Sequence, residues 1–217
     1  MDPRAVAARW PDPRVRVLAE LAVLVTEAPW RLTGELRARA TAVGLDDDAL
    51  VHGVALSAYF GHLNRVADAV GVPLDYVVRY PAPHAVSSTP RYELAPVATD
   101  AGVDELALAR RPATAAALEA WRAHVLDREA PLTRAERAAI VARVDSHLGG
   151  PRAAGEDLLF AELADTVALA PWALGPDAFV ALRARGADDA LLFDVCTVAS
   201  TANMLRRIAV ALGALSR

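Results

Sequence analysis

The chain carries a second copy of part of itself. Shifting the 217-residue sequence by 142 positions places Ala19-Glu20-Leu21-Ala22 on Ala161-Glu162-Leu163-Ala164, Ala28-Pro29-Trp30 on Ala170-Pro171-Trp172, and Gly44 on Gly186. The register holds without a gap through Asp46-Asp47 on Asp188-Asp189, Leu63 on Leu205, Arg65 on Arg207 and Gly71 on Gly213. About a third of the positions between 19 and 71 are identical, so whatever residues 19–71 fold into, residues 161–213 must fold into as well.

Each copy reads as three helices. Val17, Leu18, Leu21, Leu24 and Val25 recur at the spacing of a buried helical stripe over residues 14–28, and Pro29 ends it. A short helix follows Thr33 and stops at Gly44, where a left-handed residue suits a helix end. Asp46 then offers an N-cap to a long helix from Asp47 to Val70, with Asp47 and Asp48 at the positive end of its dipole and Gly71 as its stop. The second copy repeats the plan over 161–170, 177–185 and 189–212, with Gly186 and Gly213 in the stopping positions. Both tryptophans, Trp30 and Trp172, are read as anchoring the turn after the first helix, or alternatively as pocket walls.

Between the copies, Tyr80 to Arg111 is proline-rich with a Ser87-Ser88-Thr89 cluster and no period, which suits a long connection or lid. Helix returns after Pro112. Leu118, Trp121 and Val125 share one side of the Ala113–Leu126 segment, and Thr133-x-x-Glu136 is a capping box opening a helix to about Leu148. The expected organisation is therefore all-α, with a first repeat in 1–79 (core 19–71), a connection in 80–111, and linking helices plus a second repeat in 112–217 (core 161–213).

Composition limits the chemistry. All 23 basic residues are arginine, so mechanisms that need a lysine amine, such as Schiff bases, pyridoxal aldimines and Walker-type phosphate loops, are excluded. Arginine can still clamp a carboxylate with two parallel hydrogen bonds. One cysteine, Cys196, allows no intrachain disulfide, and no Cys/His spacing suggests zinc, which fits a reducing compartment. Neither a signal-like N-terminus nor a spanning run of apolar residues stands out, and a net charge of -4 with no basic stripe argues against nucleic acid. The expectation is a cytoplasmic protein with no metal, no cofactor, no membrane contact and no nucleic-acid partner, taking a small-molecule ligand and either self-associating or forming an internal pseudo-dimer.

The segment Ala58-Tyr59-Phe60-Gly61-His62-Leu63-Asn64-Arg65-Val66-Ala67-Asp68-Ala69-Val70-Gly71-Val72 resembles the closing helix of peroxidase-related proteins in the alkylhydroperoxidase-D-like and carboxymuconolactone decarboxylase superfamily. Ala28-Pro29-Trp30, Gly44-Leu45-Asp46-Asp47-Asp48 and Leu132-Thr133-Arg134-Ala135-Glu136-Arg137 are similar to other elements of that family. The resemblance implies an alkylhydroperoxidase-D-like helical bundle. It also defines a departure: the positions that align with the family's glutamate and its Cys-x-x-Cys pair hold Ala138, Gly150 and Ala153. A dithiol peroxidase needs a reactive thiolate and a resolving partner, so the family's thiol chemistry is not expected here.

Candidate site residues gather on the Asp47–Val70 helix. A helical wheel puts His52, Leu56, Tyr59, Leu63 and Val66 on one side, with Ser57, Asn64, Arg65 and Asp68 roughly opposite and Gly61 leaving room for close approach. His52 is the candidate acid or base, with Tyr59 as its hydrogen-bond partner. Arg65, Asn64, Ser57 and Trp30 are candidate substrate-binding residues, and Arg65 is alternatively paired with Asp68 or Glu20. His62, Asp145, His147 and His84 are weaker candidates, and Cys196, equivalent to Val54, reads as a small buried hydrophobe. Two functions remain open at this point: a cofactor-independent acid-base enzyme acting on a small, carboxylate-bearing molecule, and a non-catalytic binding or assembly protein.

Overall fold

Helix signals in the sequence are strong and strand signals weak, and the structure follows them. The computed structural model describes residues 2–72, 112–150 and 160–215, which contain nine α-helices and no strand. The Tyr80–Arg111 connection, His84 and Ala153 lie outside the described residues.

A short helix α1 (Pro3–Ala7) is capped by Asp2 and leads to α2 (Pro13–Glu27), whose Asp12 carboxylate accepts from the Arg14 N–H at 2.8 Å. Pro29 ends α2 and opens a single 3₁₀ turn, Pro29–Arg31, before α3 (Gly34–Ala42). Gly44 takes φ +77° and releases the chain into α4 (Asp47–Ala69), where the Asp46 side chain accepts from the Ala49 N–H at 2.8 Å. After the connection come α5 (Pro112–Leu126) and α6 (Arg134–His147), the latter opened by the Thr133/Glu136 capping box. The chain closes with α7 (Ala161–Leu169), a 3₁₀ turn at Pro171–Ala173, α8 (Pro176–Ala184) and α9 (Asp189–Leu215).

Boundaries in the two halves correspond at the 142-residue offset: Glu27 with Leu169, Gly34 with Pro176, Ala42 with Ala184, and Asp47 with Asp189. Gly186, like Gly44, has a positive φ. Two expectations need correction. Helix α9 does not stop at Gly213 but continues to Leu215, because Ala214 and Leu215 are buried in the core, which outweighs the roughly 1 kcal/mol a helical glycine costs. The tryptophans are not the anchors of the turn after the first helix. Pro29 and Pro171 are the buried residues there, while Trp30 is half-buried and Trp172 is 51% exposed.

Packing is reciprocal. Helices α4 and α9 lie against each other at the centre; α4 packs on the Pro171–Ala173 turn, and α9 on the Pro29–Arg31 turn. Two cores result, and α9 runs through both: Met204 to Leu215 join α2, α3 and α4, while Leu192 to Ala202 join α6 and α7. Among the described residues α9 is the one helix long and apolar enough to cross a membrane, and 89% of its apolar window is buried inside the protein.

A buried charge locks α6 onto α9. Asp194 is 1% exposed and Arg137 is wholly buried, and the guanidinium forks onto the carboxylate, joined by Arg128 and by the Leu132 N–H at 3.2 Å. Arg137 also donates to the carbonyls of Val125 at 2.7 Å and Arg128 at 2.9 Å. Burial works to raise the Asp194 pKa, but the bonds from Arg137, Arg128 and Leu132 outweigh it and hold the carboxyl below its ordinary value. Removing one side of such a network leaves an uncompensated buried charge. Asp194→Ala is expected to lose about 3–5 kcal/mol in urea unfolding at neutral pH, with Arg137→Met in the same chain restoring part of it. Because the folded pKa is depressed, this stabilisation is complete above the unfolded carboxylate value and disappears as pH falls through the folded one, so the wild type should weaken in acid more steeply than Asp194→Ala.

Candidate functional site

The inward face of α4 is not the one carrying its large exposed apolar residues. Leu50, Val54, Ala58, His62, Arg65 and Ala69 are buried, whereas His52, Leu56, Tyr59 and Leu63 point outward. Helix α9 is the main partner of that face, with Ser200 meeting His62 across the contact. Two of the polar side chains on α4, His62 and Arg65, therefore enter the interior.

His62 is 4% exposed, and its Nδ1 lies 2.9 Å from Oγ of Ser200, a wholly buried residue on α9. The Ser200 hydroxyl donates its single proton to the His62 backbone carbonyl at 3.0 Å. Its oxygen must then accept from Nδ1–H, which leaves Nε2 as the basic nitrogen. Burial lowers the His62 pKa, the hydrogen bond at Ser200 works the other way, and the nearby Arg65 charge lowers it further. The imidazole is therefore neutral at pH 7. Trp121 stands edge-on to the ring with centroids 5.8 Å apart.

His62 lines a groove of about 650 Å³, within the range of small-molecule sites. Leu63 and Val66 of α4 with Val70 just past its end form one wall, Trp121 and His124 of α5 another, and Phe193 and Thr197 of α9 the third. Arg128 reaches the groove from beyond α5. One of its nitrogens holds Asp194, while its buried Nε has no hydrogen-bond partner among the described residues. The site thus combines apolar walls, a neutral imidazole and a guanidinium.

The residues expected from the sequence divide. His52 is exposed and its Nδ1–H donates to the Asp48 carbonyl one turn back at 2.6 Å. Tyr59 is 48% exposed, with its ring 6.3 Å from those of Phe60 and His62. Ser57 donates to the Gly53 carbonyl at 2.7 Å, Asn64 is exposed, and Trp30, on the Pro29–Arg31 turn, does not line the groove. Arg65 is buried, as a binding or pairing role would need; it donates to the carbonyls of Gly61 at 2.9 Å and Ala168 at 3.3 Å, and its charge works to lower the Asp68 pKa against the larger upward effect of burial. Glu20 is gripped instead by Arg39, at 2.7 and 2.9 Å. That fork, with Arg4 beside it, fills a smaller cleft of about 320 Å³ between α1, α2 and α3 with its own ion pairs. His147 donates to Asp165, which Arg143 also forks, as a tie between α6 and α7.

Cys196 is wholly buried, and burial pushes its thiol up to about 12. No thiolate is available at physiological pH. Among the described residues no three His, Cys, Asp or Glu side chains converge as a metal-binding group. Set against family models, curated proteins and solved structures, the chain gives no match.

Sequence periodicity could have pointed to His62, since it continues the Leu50, Val54, Ala58 series at four-residue steps. Its partner Ser200 lies 138 residues away and no local pattern announces it. Two outcomes follow. Cys196 should resist thiol reagents at mildly alkaline pH and react only after denaturation. The folded His62 pKa is lowered, so the unfolded chain binds the proton more readily: stability should fall as pH drops below about 6.5 toward the folded value. His62→Asn, whose amide can still donate to Ser200, should flatten that part of the pH-stability curve.

Proposed function

We propose that this chain is a member of the alkylhydroperoxidase-D-like and carboxymuconolactone decarboxylase superfamily in which thiol chemistry has given way to acid-base chemistry, with His62 as the base. The family part of this reading rests on the sequence resemblance quoted above. The reaction class rests on one observation: a neutral, buried imidazole, its tautomer fixed by Ser200, in the wall of an apolar groove.

A base in this setting takes a proton from a carbon acidified by a neighbouring carbonyl. The imidazolium then returns that proton to the substrate at another atom, so neither oxidant nor reductant is consumed. Burial keeps His62 unprotonated and ready at neutral pH. Arg128 supplies the complementary group, a guanidinium able to orient a substrate carboxylate. The apolar walls fit the carbon skeleton between these two ends, and a small carboxylate with an acidic C–H is the substrate class this arrangement suits. Such chemistry belongs to lyases and isomerases that need no cofactor.

The test is proton exchange. Incubation of the purified protein with a panel of small unsaturated and oxo carboxylates in D2O, followed by NMR, should reveal deuterium incorporation or conversion for at least one compound. His62→Asn should reduce that rate about a hundredfold or more while leaving the fold intact, whereas Cys196→Ala should leave it unchanged. Full turnover by His62→Asn, or robust hydroperoxide reduction abolished by Cys196→Ala, would replace this reading with another.

A further inference from the structure

From Ala49 to Asn64 the α4 sequence contains no Asp, Glu, Lys or Arg, although one whole side of this stretch faces outward. Leu56, Tyr59, Phe60 and Leu63 form a stripe on that side with exposures of 58, 48, 55 and 41%. Depletion of charge with enrichment in aromatic residues is the signature of an interface centre. The second half of the chain shows what such a face is for. At the 142-residue offset the stripe corresponds to Val198, Thr201, Ala202 and Leu205 of α9, all buried, and His52 corresponds to Asp194, the residue onto which α6 is locked through Arg137. The face that α9 buries, α4 leaves open among the described residues.

We infer that the open face of α4 is a homodimer interface, formed by antiparallel packing of α4 on α4 of a second copy. The pattern is its own complement. Read outward from the point between Tyr59 and Phe60, both directions give an aromatic residue, a small residue (Ala58 or Gly61), and then leucine three steps from the aromatic (Leu56 or Leu63). A two-fold axis through that point sets Leu56 of each copy against Leu63 of the other, and Tyr59 against Phe60, which is the reciprocity an isologous contact requires. The stripe continues at Leu63 into the apolar rim of the groove, at Val70, Val72, Trp121 and Phe193. A contiguous run of exposed apolar side chains of this kind is more than monomers usually leave open.

Sedimentation equilibrium and oxidative cross-linking test this together. Wild-type protein should sediment as a dimer at micromolar concentration, and Leu56→Glu with Phe60→Glu should give a monomer of unchanged circular dichroism. In a Cys196→Ala background, the double variant Leu56→Cys and Leu63→Cys should form a disulfide-linked dimer on mild oxidation, while each single variant should not, because each position meets the other and not itself. The cross-linking arm keeps the test decisive if the glutamate variant fails to fold. A monomeric wild type, including one that binds lipid vesicles through this face instead, or a dimer in which the cysteine pair does not cross-link, would overturn the inference.

Discussion

Two long helices that cross at the centre of a protein must bury whatever their contact faces carry, and α4 and α9 carry His62, Arg65, Ser200, Asn203 and Arg207. Each of these needs hydrogen-bond partners inside: His62 and Ser200 supply each other, and helix ends serve Asn203 and the two arginines. Pro29 has no N–H to give to the Val25 carbonyl four residues before it, and Arg207 of α9 donates to that oxygen at 3.0 Å. In the other half, Arg65 of α4 and Asn203 of α9 donate to the Ala168 carbonyl in the last turn of α7, at 3.3 and 3.2 Å. A cation at the negative end of a helix dipole is favourable, and more so away from water. Pro29 thus helps free the acceptor that holds Arg207, and the end of α7 leaves the Ala168 carbonyl to Arg65 and Asn203.

This reciprocity makes the chain's organisation legible from its sequence. The repeat offset predicts that one three-helix plan occurs twice, and Glu27 with Leu169, Ala42 with Ala184 and Asp47 with Asp189 end or begin helices at corresponding places. Local chemistry accounts for those boundaries: Pro29 and Pro171, Gly44 and Gly186, the Asp46 cap and the Thr133/Glu136 box. The orientation of α4 was not legible in the same way. A wheel groups His52, Leu56, Tyr59 and Leu63 correctly, but their apolar bulk suggests the buried side, whereas packing on α9 and α2 buries the side carrying Leu50, Val54, Ala58 and His62. Burial here depends on a partner helix more than a hundred residues away, and so does the pairing of His62 with Ser200.

The halves differ most where α6 is concerned. On α9, Asp194 is buried with two arginines on it, while the corresponding His52 on α4 is exposed and satisfied by its own helix. Arg128 belongs both to the Asp194 lock and to the wall of the groove. A structural charge network thereby fixes the position of a guanidinium that lines the site. Any ligand carboxylate meeting Arg128 encounters a group already oriented, which lowers the ordering cost of binding.

The repeat also provides an internal control for the polar pair at the site. At the 142-residue offset, His62 corresponds to Met204 and Ser200 to Ala58, so the contact related to His62 and Ser200 is Met204 with Ala58. Met204 and Ala58 are both buried, and both belong to one apolar core cluster. Packing at this crossing is therefore satisfied without any hydrogen bond. Burying an imidazole and a hydroxyl instead carries a desolvation cost that a well-made hydrogen bond only partly returns, so stability alone gives no reason to prefer the polar version. What distinguishes its side of the crossing is the groove beside it, lined by His62, Trp121 and Arg128. A polar pair on the groove side, with an apolar counterpart at the offset position, is the asymmetry that the proposed acid-base role of His62 accounts for.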